Sequence, residues 1–333
     1  MLRPFSYSAQ VKCKGYSAPL ERRLVDFGAD ESFEKACDKM IEHYGISIPP
    51  SSMLIITEKH GKEMRGNERL ESEIPGEGGV ECLICETDGT MIPIVDTFDK
   101  MDDTGNSIDK RKTREVRWRE ARLSLAHPKG SVSPTYGSTL GDQDKAGDQL
   151  AHCAILAGMD QHSKVHCVGD GALWIYDQVD RVFGAQADFL IDFYHLCDYL
   201  SAASKGCDTD NSSVWMEKQK KRMKENKVSE VIEELQPHIE PDSVPSKDAP
   251  VRRCSYYITN RPGQFDYKGA LEHDLPIGSG EIESAHRYVI QKRLKIAGAW
   301  WKEDNAHNML ALRTLRANNN WDDYWVNYYR KAA

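Results

Sequence analysis

The chain has 333 residues, 40% of them hydrophobic, and a formal net charge of -8 at pH 7, an ordinary balance for a globular protein of roughly two domains. The acidic charge does not indicate a nucleic-acid-binding protein, so any such surface must be local. No apolar run approaches the roughly 18 residues of a membrane span, and the N-terminal stretch lacks the apolar core of a secretory signal. Nine scattered cysteines argue against a disulfide framework, and we expect a cytoplasmic protein without a membrane partner.

The first predicted elements are two helices within residues 30–66, separated by a short turn. Gly45 is a plausible end of the first helix, and Ser51 or Ser52 is a plausible cap of the second. Apolar residues recur at helical spacing in the first helix: Phe33, Ala36, Met40, Ile41 and Tyr44. Such a pair is typical of a helix-turn-helix DNA-binding unit, although a plain helical hairpin fits equally well. Residues 1–75 are therefore assigned to a helical N-terminal region.

A polar break precedes a change to β-strand patterns, which begins the segment assigned to residues 76–204. The run "VECLICETDGTMIPIVDTFD" holds two apolar segments around Asp88–Gly89, which predicts a hairpin. The run "EARLSLAHP" predicts a third strand, and "KVHCVGDG" and "ADFLIDFYH" predict strands that alternate with helices. Three strands followed by this alternation predict an α/β fold with a mixed sheet.

The rest of the chain is predicted to be helical. Residues 205–275 are polar and lysine-rich and are interpreted as a helical insertion, and residues 276–333 form a C-terminal helical segment. Two basic runs, "KRKTREVRWREAR" and "MEKQKKRMKENK", are candidates for contacting nucleic acid, although a solvated face is the commoner role of such runs.

Three carboxylates occupy special places in these elements. Asp88 lies where the first strand is predicted to meet its turn, which is also a common place for a turn aspartate. Asp170 follows a strand and lies between two glycines, at the sheet edge where ligands gather, although capping of the next helix is its simpler role. Three acids on such a scaffold suit two Mg²⁺ ions, since hard divalent cations prefer oxygen ligands.

The third acid comes from a predicted helix over residues 281–294. Its apolar face consists of Ile282, Ala285, Val289, Ile290 and Leu294. Glu283 lies roughly 80° from the centre of that face, and Glu281 lies roughly 120° away on the other side. Glu283 is therefore the better candidate for reaching a site on the sheet, although both acids also suit a helix N-terminus.

The runs "TDGTMIPI", "VGDGALWIY", "DFYHLCDYL" and "LPIGSGEIESAHRYVIQKRLK" occur in this order, and together they resemble bacterial insertion-sequence transposases of the DDE class. The ISKra type is the most similar, and the ISLre and mutator-like types are related. The resemblance extends from about residue 22 to about residue 325. It implies a ribonuclease-H-like catalytic core in which Asp88, Asp170 and Glu283 hold two Mg²⁺ or Mn²⁺ ions.

The same resemblance implies further roles. Asp192 and His195 match a D-x-x-H motif with a role in DNA-end handling or active-site support, and a packed strand end is the alternative. The expected reaction is cleavage at the transposon end followed by strand transfer to target DNA. The expected partners are terminal inverted repeats, target DNA and a second copy of the chain, in a homodimer or higher oligomer.

Candidate DNA contacts come from the basic runs and the tryptophan pair. They are Lys220, Lys221, Arg222, Lys292, Arg293, Lys295 and Trp300. At least one of Trp300 and Trp301 is expected to pack in the core. The competing functions are a domesticated transposase that binds DNA without catalysis, and a structure-selective nuclease on the same fold.

Overall fold

The computed structural model of the chain describes residues 15–102, 104–110 and 112–332, so the first 14 residues of the predicted N-terminal region lie outside it. Five strands form one mixed sheet in the order β3-β2-β1-β4-β5. They are β1 (Cys82–Thr97), β2 (Arg114–Pro128), β3 (Thr135–Thr139), β4 (Lys164–Gly169) and β5 (Ala187–Ile191). The first three strands pair antiparallel, and β4 runs parallel to both β1 and β5. The predicted mixed α/β sheet is confirmed.

Helices surround the sheet. The N-terminal helices are α1 (Ala18–Asp30), α2 (Phe33–Tyr44) and α3 (Pro50–Asn67). Those between and after the strands are α4 (Gln143–Leu156), α5 (Leu173–Phe183), α6 (Phe193–Cys207), α7 (Ser212–Lys224), α8 (Val228–Leu235), α9 (Pro250–Thr259) and α10 (Tyr267–Glu272). The C-terminal ones are α11 (Gly280–Ala285, continued by a π-helical segment His286–Gln291 and a last turn Lys292–Leu294), α12 (Glu303–Ala317) and α13 (Trp321–Ala332). No described helix is long and apolar enough to cross a membrane.

The predicted end of the first N-terminal helix is confirmed, but the predicted cap of the second is wrong. Gly45 follows α2 in the left-handed conformation, with φ 64°, which glycine adopts without strain. Helix α3 begins at Pro50, before either predicted serine, because proline is well suited to the first helical turn. The role of these helices in DNA binding stays a prediction.

The hairpin predicted at Asp88–Gly89 is wrong. Strand β1 continues through both residues and pairs with β2 along its whole length, from Leu83 opposite Pro128 to Thr97 opposite Arg114. Glycine occurs here because the Glu120 carboxyl lies over it: a Cβ added at Gly89 would lie 2.2 Å from Glu120 Oε1. Asp88 is therefore a mid-strand residue, not a turn residue.

The segment "DFYH" is also divided differently from the prediction. Strand β5 ends at Ile191, and Asp192 caps α6 by accepting hydrogen bonds from the backbone N–H groups of Tyr194 and His195, at 2.6 and 2.9 Å. The predicted helical insertion does form helices, α7 to α10, but the short strand β3 was not predicted.

The two faces of β1 contribute to different hydrophobic clusters. Odd-numbered residues such as Leu83 and Cys85 pack with α4, α5 and the inserted helices. Even-numbered residues such as Ile92 and Ile94 pack with α11 and α12, and every residue of the predicted apolar face of α11 is buried there. Because Asp88 is even-numbered, its side chain leaves the sheet on the face that α11 covers.

A third cluster joins the N-terminal helices to α12 and α13. At its polar centre Glu21 accepts hydrogen bonds from Lys59 Nζ at 3.1 Å and from Tyr328 Oη at 2.7 Å. The Nε2 atom of the fully buried His60 lies 3.1 Å from Glu21 Oε2. The first and last elements of the described chain therefore share one core.

Candidate active site

Asp88 lies on β1, with its side chain 35% exposed. Burial, together with the negative charges of Asp170, Glu120 and Glu283, raises the pKa of this carboxyl to about 6, against one lowering contact from the Gly89 backbone N–H. The charges of the other two predicted acids thus act on Asp88. A carboxylate surrounded in this way is stabilised by a cation.

Asp170 directly follows β4, and its loop is held firmly by α9. Tyr257 Oη donates a hydrogen bond to the Asp170 carbonyl at 2.7 Å, and Arg261 donates two to the Gly171 carbonyl at 2.7 and 2.9 Å. Gly171 has φ +81°, and a Cβ there would lie 2.7 Å from the side chain of Ile191. Only glycine fits this position, and the Asp170 backbone is fixed as a result.

The side chain of Asp170 does not cap α5, whose N-cap residue is Ala172 and whose first turn has no side-chain cap. Its Oδ1 instead accepts a hydrogen bond from the Ala172 N–H at 2.8 Å, within the loop before the helix. The second carboxylate oxygen can still act on Asp88, since a carboxylate has two oxygens with several acceptor positions. This local hydrogen bond and a role in the site are therefore compatible.

The two glutamates at the start of α11 differ in their neighbours. Glu283 is exposed, and its charge raises the pKa of both Asp88 and the nearby Glu86. Glu281 is half exposed, and its Oε2 lies 3.1 Å from His127 Nε2, without the alignment of a hydrogen bond. The charge of Glu283 therefore acts on Asp88, whereas Glu281 lies beside His127 on β2 and its charge acts on Glu86.

Two buried carboxyls that lie beside these acids hold the start of α11. Glu86 is 1% exposed, and its Oε2 accepts a hydrogen bond from the Ile282 N–H at 2.7 Å. Asp192 Oδ2 accepts hydrogen bonds from both the N–H and the hydroxyl of Ser279, each at 2.6 Å. Asp192 therefore supports the glycine-bracketed loop before α11. Glu86 was not predicted, because its partner is almost 200 residues away in the sequence.

His195 lies near the Asp170 loop, and His286 lies beside Asp88. The His195 ring packs beside Tyr257, the residue that fixes the Asp170 carbonyl, with ring centroids 6.2 Å apart. His286 is 3% exposed, and its Nε2 lies 3.4 Å from Asp88 Oδ2. Burial lowers the pKa of His286 to about 4, so the ring is neutral at pH 7. This second histidine was not predicted.

An open cavity of about 440 Å³ is lined by Glu283 but not by Asp88 or Asp170. Its walls include Glu86, Asp192, Tyr194, Glu281 and Glu283. A larger cavity of about 660 Å³ lies at the opposite ends of β1 and β4, and none of the three predicted acids lines it. The smaller cavity is therefore the one related to the candidate site.

The donor set fits a hard divalent cation. All three acids supply oxygen, the preferred donor for Mg²⁺ and Mn²⁺, and Asp88 carries a raised pKa among like charges. As the side chains stand, no three His, Cys, Asp or Glu residues within the described ranges are close enough to hold an ion. Ion binding would therefore require the three carboxylates to move closer together.

Residues 157–324, just over half of the chain, match the model of an uncharacterised protein family, UPF0236. The chain belongs to the UPF0236 family. The matched residues include Asp170, Asp192 and Glu283, while Asp88 lies before them. No curated protein matches this UPF0236 member.

Four of the predicted DNA-binding side chains are exposed in this UPF0236 member. Lys295 donates a hydrogen bond to Thr90 Oγ1 at 2.7 Å, two residues along β1 from Asp88. Trp300 is 45% exposed and stacks with Arg114 at 4.1 Å, and Trp301 is buried, as expected for one of the pair. The other two are Lys292 and Lys221.

Two neighbouring basic residues are engaged in ion pairs on the inserted helices. Lys220 Nζ lies 2.7 Å from Glu217, and Arg222 lies 3.1 Å from Glu230 and also pairs with Glu234. These acids neutralise the charge that DNA binding would use. Lys221, with 78% of its side chain exposed, is the better candidate of the three.

The prediction that Arg293 contacts DNA is wrong. Arg293 is 2% exposed, and its Nε donates a hydrogen bond to the Gly28 carbonyl at 3.0 Å. Its guanidinium lies between the rings of Phe33 and Trp301, at 4.7 and 4.8 Å. The side chain therefore joins α11 to the N-terminal helices. This could not be predicted, because Arg293 belongs to the same basic run as Lys292 and Lys295, which are exposed.

Replacing Arg293 with alanine is expected to lower the free energy of unfolding by about 2–4 kcal/mol, because the change leaves a cavity and an unpaired carbonyl. Urea denaturation measures this. Lys295→Ala is the matched control: it should leave stability nearly unchanged and weaken DNA binding in a salt-dependent manner. An Arg293→Ala protein of wild-type stability with weakened DNA binding would restore the original prediction.

Proposed function

We propose that the chain is an insertion-sequence transposase of the DDE class, of the ISKra type, which cleaves DNA strands and transfers them with divalent metal ions. The observation that carries the proposal is that three acids from separate elements are electrostatically coupled. Asp88 comes from the middle of β1, Asp170 from the end of β4 and Glu283 from the start of α11, and the charges of the last two act on the first.

The sheet supports a ribonuclease-H-like core. Three antiparallel strands come first in the chain, and two strands parallel to β1 follow on its other side. The acids lie on the central strand β1, immediately after its neighbour β4, and on a helix that covers β1. This is the arrangement that the resemblance to DDE transposases implies.

The chain's own residues would act mainly by positioning. Asp88, Asp170 and Glu283 would hold two Mg²⁺ or Mn²⁺ ions, which when bound would stabilise charge on the attacking and leaving oxygens of a phosphodiester. Tyr257 and Arg261 keep the Asp170 loop rigid. Catalysis of phosphoryl transfer depends on such positioning and on electrostatics.

The proposed partners follow from the reaction. Terminal inverted repeats and target DNA are the substrates, and two copies of the chain would hold the two transposon ends in a homodimer or higher oligomer. Lys295, bonded to Thr90 two residues along β1 from Asp88, would contact a phosphate. Trp300, stacked on Arg114 at the far end of β1, would contact an exposed base. The protein would act in the bacterial cytoplasm, where its DNA is.

The test is cleavage of a labelled duplex that carries the element's own end, with Mg²⁺, Mn²⁺ or EDTA and with unlabelled target DNA. Metal-dependent cleavage at the end and joined product are expected. Glu283→Gln should lower cleavage about a hundredfold or more, and its matched control Glu281→Gln should stay within about threefold. A reversed order of the two variants would make Glu281 the third acid.

Two other outcomes of the same assay would overturn the proposal. Metal-dependent cleavage without joined product would indicate a structure-selective nuclease. Binding of the end without cleavage under any metal would indicate a domesticated DNA-binding protein.

A further inference from the structure

Strand β1 and helix α11 contact each other at two points beside the acids. At the first point, the carboxyl of Glu86 on β1 accepts the hydrogen bond from the Ile282 N–H at 2.7 Å. At the second, His286 of α11 lies 3.4 Å from Asp88 of β1. Glu283, the proposed third acid, lies on the helix between the two points.

The spacing of the two contacts is the same on both elements. Glu86 and Asp88 are two residues apart on a strand, which is about 6.8 Å. Ile282 and His286 are four residues apart on a helix, which is about 6 Å. Two contacts with matching spacing fix both the position of α11 along β1 and its rotation. A single contact would allow the helix to slide or turn.

The burial of Glu86 and His286 is not explained by a contribution to stability. Glu86 and His286 are 1% and 3% exposed, and a buried carboxyl destabilises a fold unless it is paired. Within the described residues, Glu86 Oε1 and both ring nitrogens of His286 have no aligned hydrogen-bond partner. Leucine at position 86 and phenylalanine at position 286 would fill the same space with less cost to stability.

We infer that Glu86 and His286 are positioning residues, which set α11 against β1 so that Glu283 faces Asp88. Glu86 accepts the N–H that the first turn of α11 cannot satisfy within the helix, and it does so from the strand that carries Asp88. His286 limits the rotation of the Asp88 carboxyl from the helix side. This inference rests on the proposed function for its effect on DNA cleavage, but its structural part does not.

Two paired substitutions test the inference. Glu86→Gln keeps an oxygen that accepts the Ile282 N–H, whereas Glu86→Leu removes it. His286→Phe removes the contact with Asp88, and His127→Phe is its matched control. His127 is also a buried histidine that faces α11, but it lies beside Glu281.

The first measurement is backbone hydrogen exchange of residues 279–289 in each folded variant without metal, which requires no catalytic activity. Glu86→Leu and His286→Phe should speed exchange about tenfold, while Glu86→Gln and His127→Phe stay within about twofold of wild type. Wild-type exchange in both Glu86→Leu and His286→Phe would overturn the inference. If Glu86→Leu does not fold, the exchange rate of His286→Phe alone tests the inference.

The second measurement is DNA cleavage with a Mg²⁺ titration. Glu86→Leu and His286→Phe should lower cleavage or raise the Mg²⁺ requirement about 10- to 100-fold at unchanged DNA affinity, and Glu86→Gln should recover to within about threefold. Glu86→Gln as defective as Glu86→Leu would show that the charge of Glu86 matters, and would overturn the positioning role. If wild type does not cleave, the proposed function fails, and hydrogen exchange alone judges the inference.

Discussion

Replacing Asp88 with asparagine is expected to reduce metal-dependent DNA cleavage about a thousandfold or more, and to make the metal-free protein more stable at pH 8. The loss of activity follows because a central ion ligand would be gone, at a cost of several kcal/mol in the transition state. The gain in stability follows because ionising this carboxyl costs more free energy in the folded state than in the unfolded state.

The sign of the pH dependence follows from the raised pKa. The pKa of Asp88 rises from 3.8 to about 6 on folding, so the folded state binds the proton more tightly. The wild type therefore loses stability relative to Asp88→Asn as pH rises from about 4 to 6, and the difference is constant above that. A shift of this size corresponds to about 3 kcal/mol at most, and solvent screening of a side chain that is 35% exposed reduces it to about 1 kcal/mol.

Thermal unfolding at pH 4 and pH 8, with EDTA and with Mg²⁺, measures both parts of the prediction. Mg²⁺ should stabilise the wild type and have little effect on Asp88→Asn. Asp96→Asn is the matched control, since Asp96 lies on the same face of β1 in a surface ion pair with Arg117. An Asp88→Asn protein that cleaves at the wild-type rate would remove Asp88 from the site.

Replacing Glu21 with glutamine is expected to destabilise the protein by about 3 kcal/mol at pH 7. Burial alone would raise the pKa of Glu21, but hydrogen bonds from His60, Tyr328 and Lys59 outweigh it and lower the pKa from 4.5 to about 2. A carboxylate with a lowered pKa stabilises the fold above pH 4.5, and the stabilisation is lost as pH falls toward 2.

Urea denaturation of wild type and Glu21→Gln at pH 7, 4 and 3 tests this. The difference in free energy of unfolding should shrink as the pH falls. Glu42→Gln is the control, because Glu42 is exposed on α2 and its replacement should change stability by less than about 0.5 kcal/mol at each of the three pH values. A difference between Glu21→Gln and wild type that does not change with pH would contradict the assignment of the lowered pKa.

Features that depend on neighbours in the sequence could be predicted. The end of α2 at Gly45 and the apolar face of α11 follow from local conformation and helical spacing, and both are present. The choice of Glu283 over Glu281 used the same spacing, and the charge of Glu283 does act on Asp88. The choice itself still needs the cleavage test.

Features that depend on distant partners could not be predicted. Asp88–Gly89 has the local pattern of a turn, but pairing with β2 on both sides keeps the chain extended. The sequence around Glu86 indicates an ordinary strand residue, and only the folded structure brings the Ile282 N–H to its carboxyl. Arg293 looks like its exposed basic neighbours, and only the packing of Phe33 and Trp301 shows that it is buried.

The core that the first and last helices share has a consequence for synthesis on the ribosome. Leu24 and Met53, from α1 and α3, share this core with Leu312 and Trp325, which are made about 260–300 residues later. At translation rates of about 5–20 residues per second, the C-terminal residues of this core are synthesised roughly 15–60 s after the N-terminal helices. Their apolar faces stay uncovered during this time, so the nascent chain is a substrate for chaperones until translation is nearly complete.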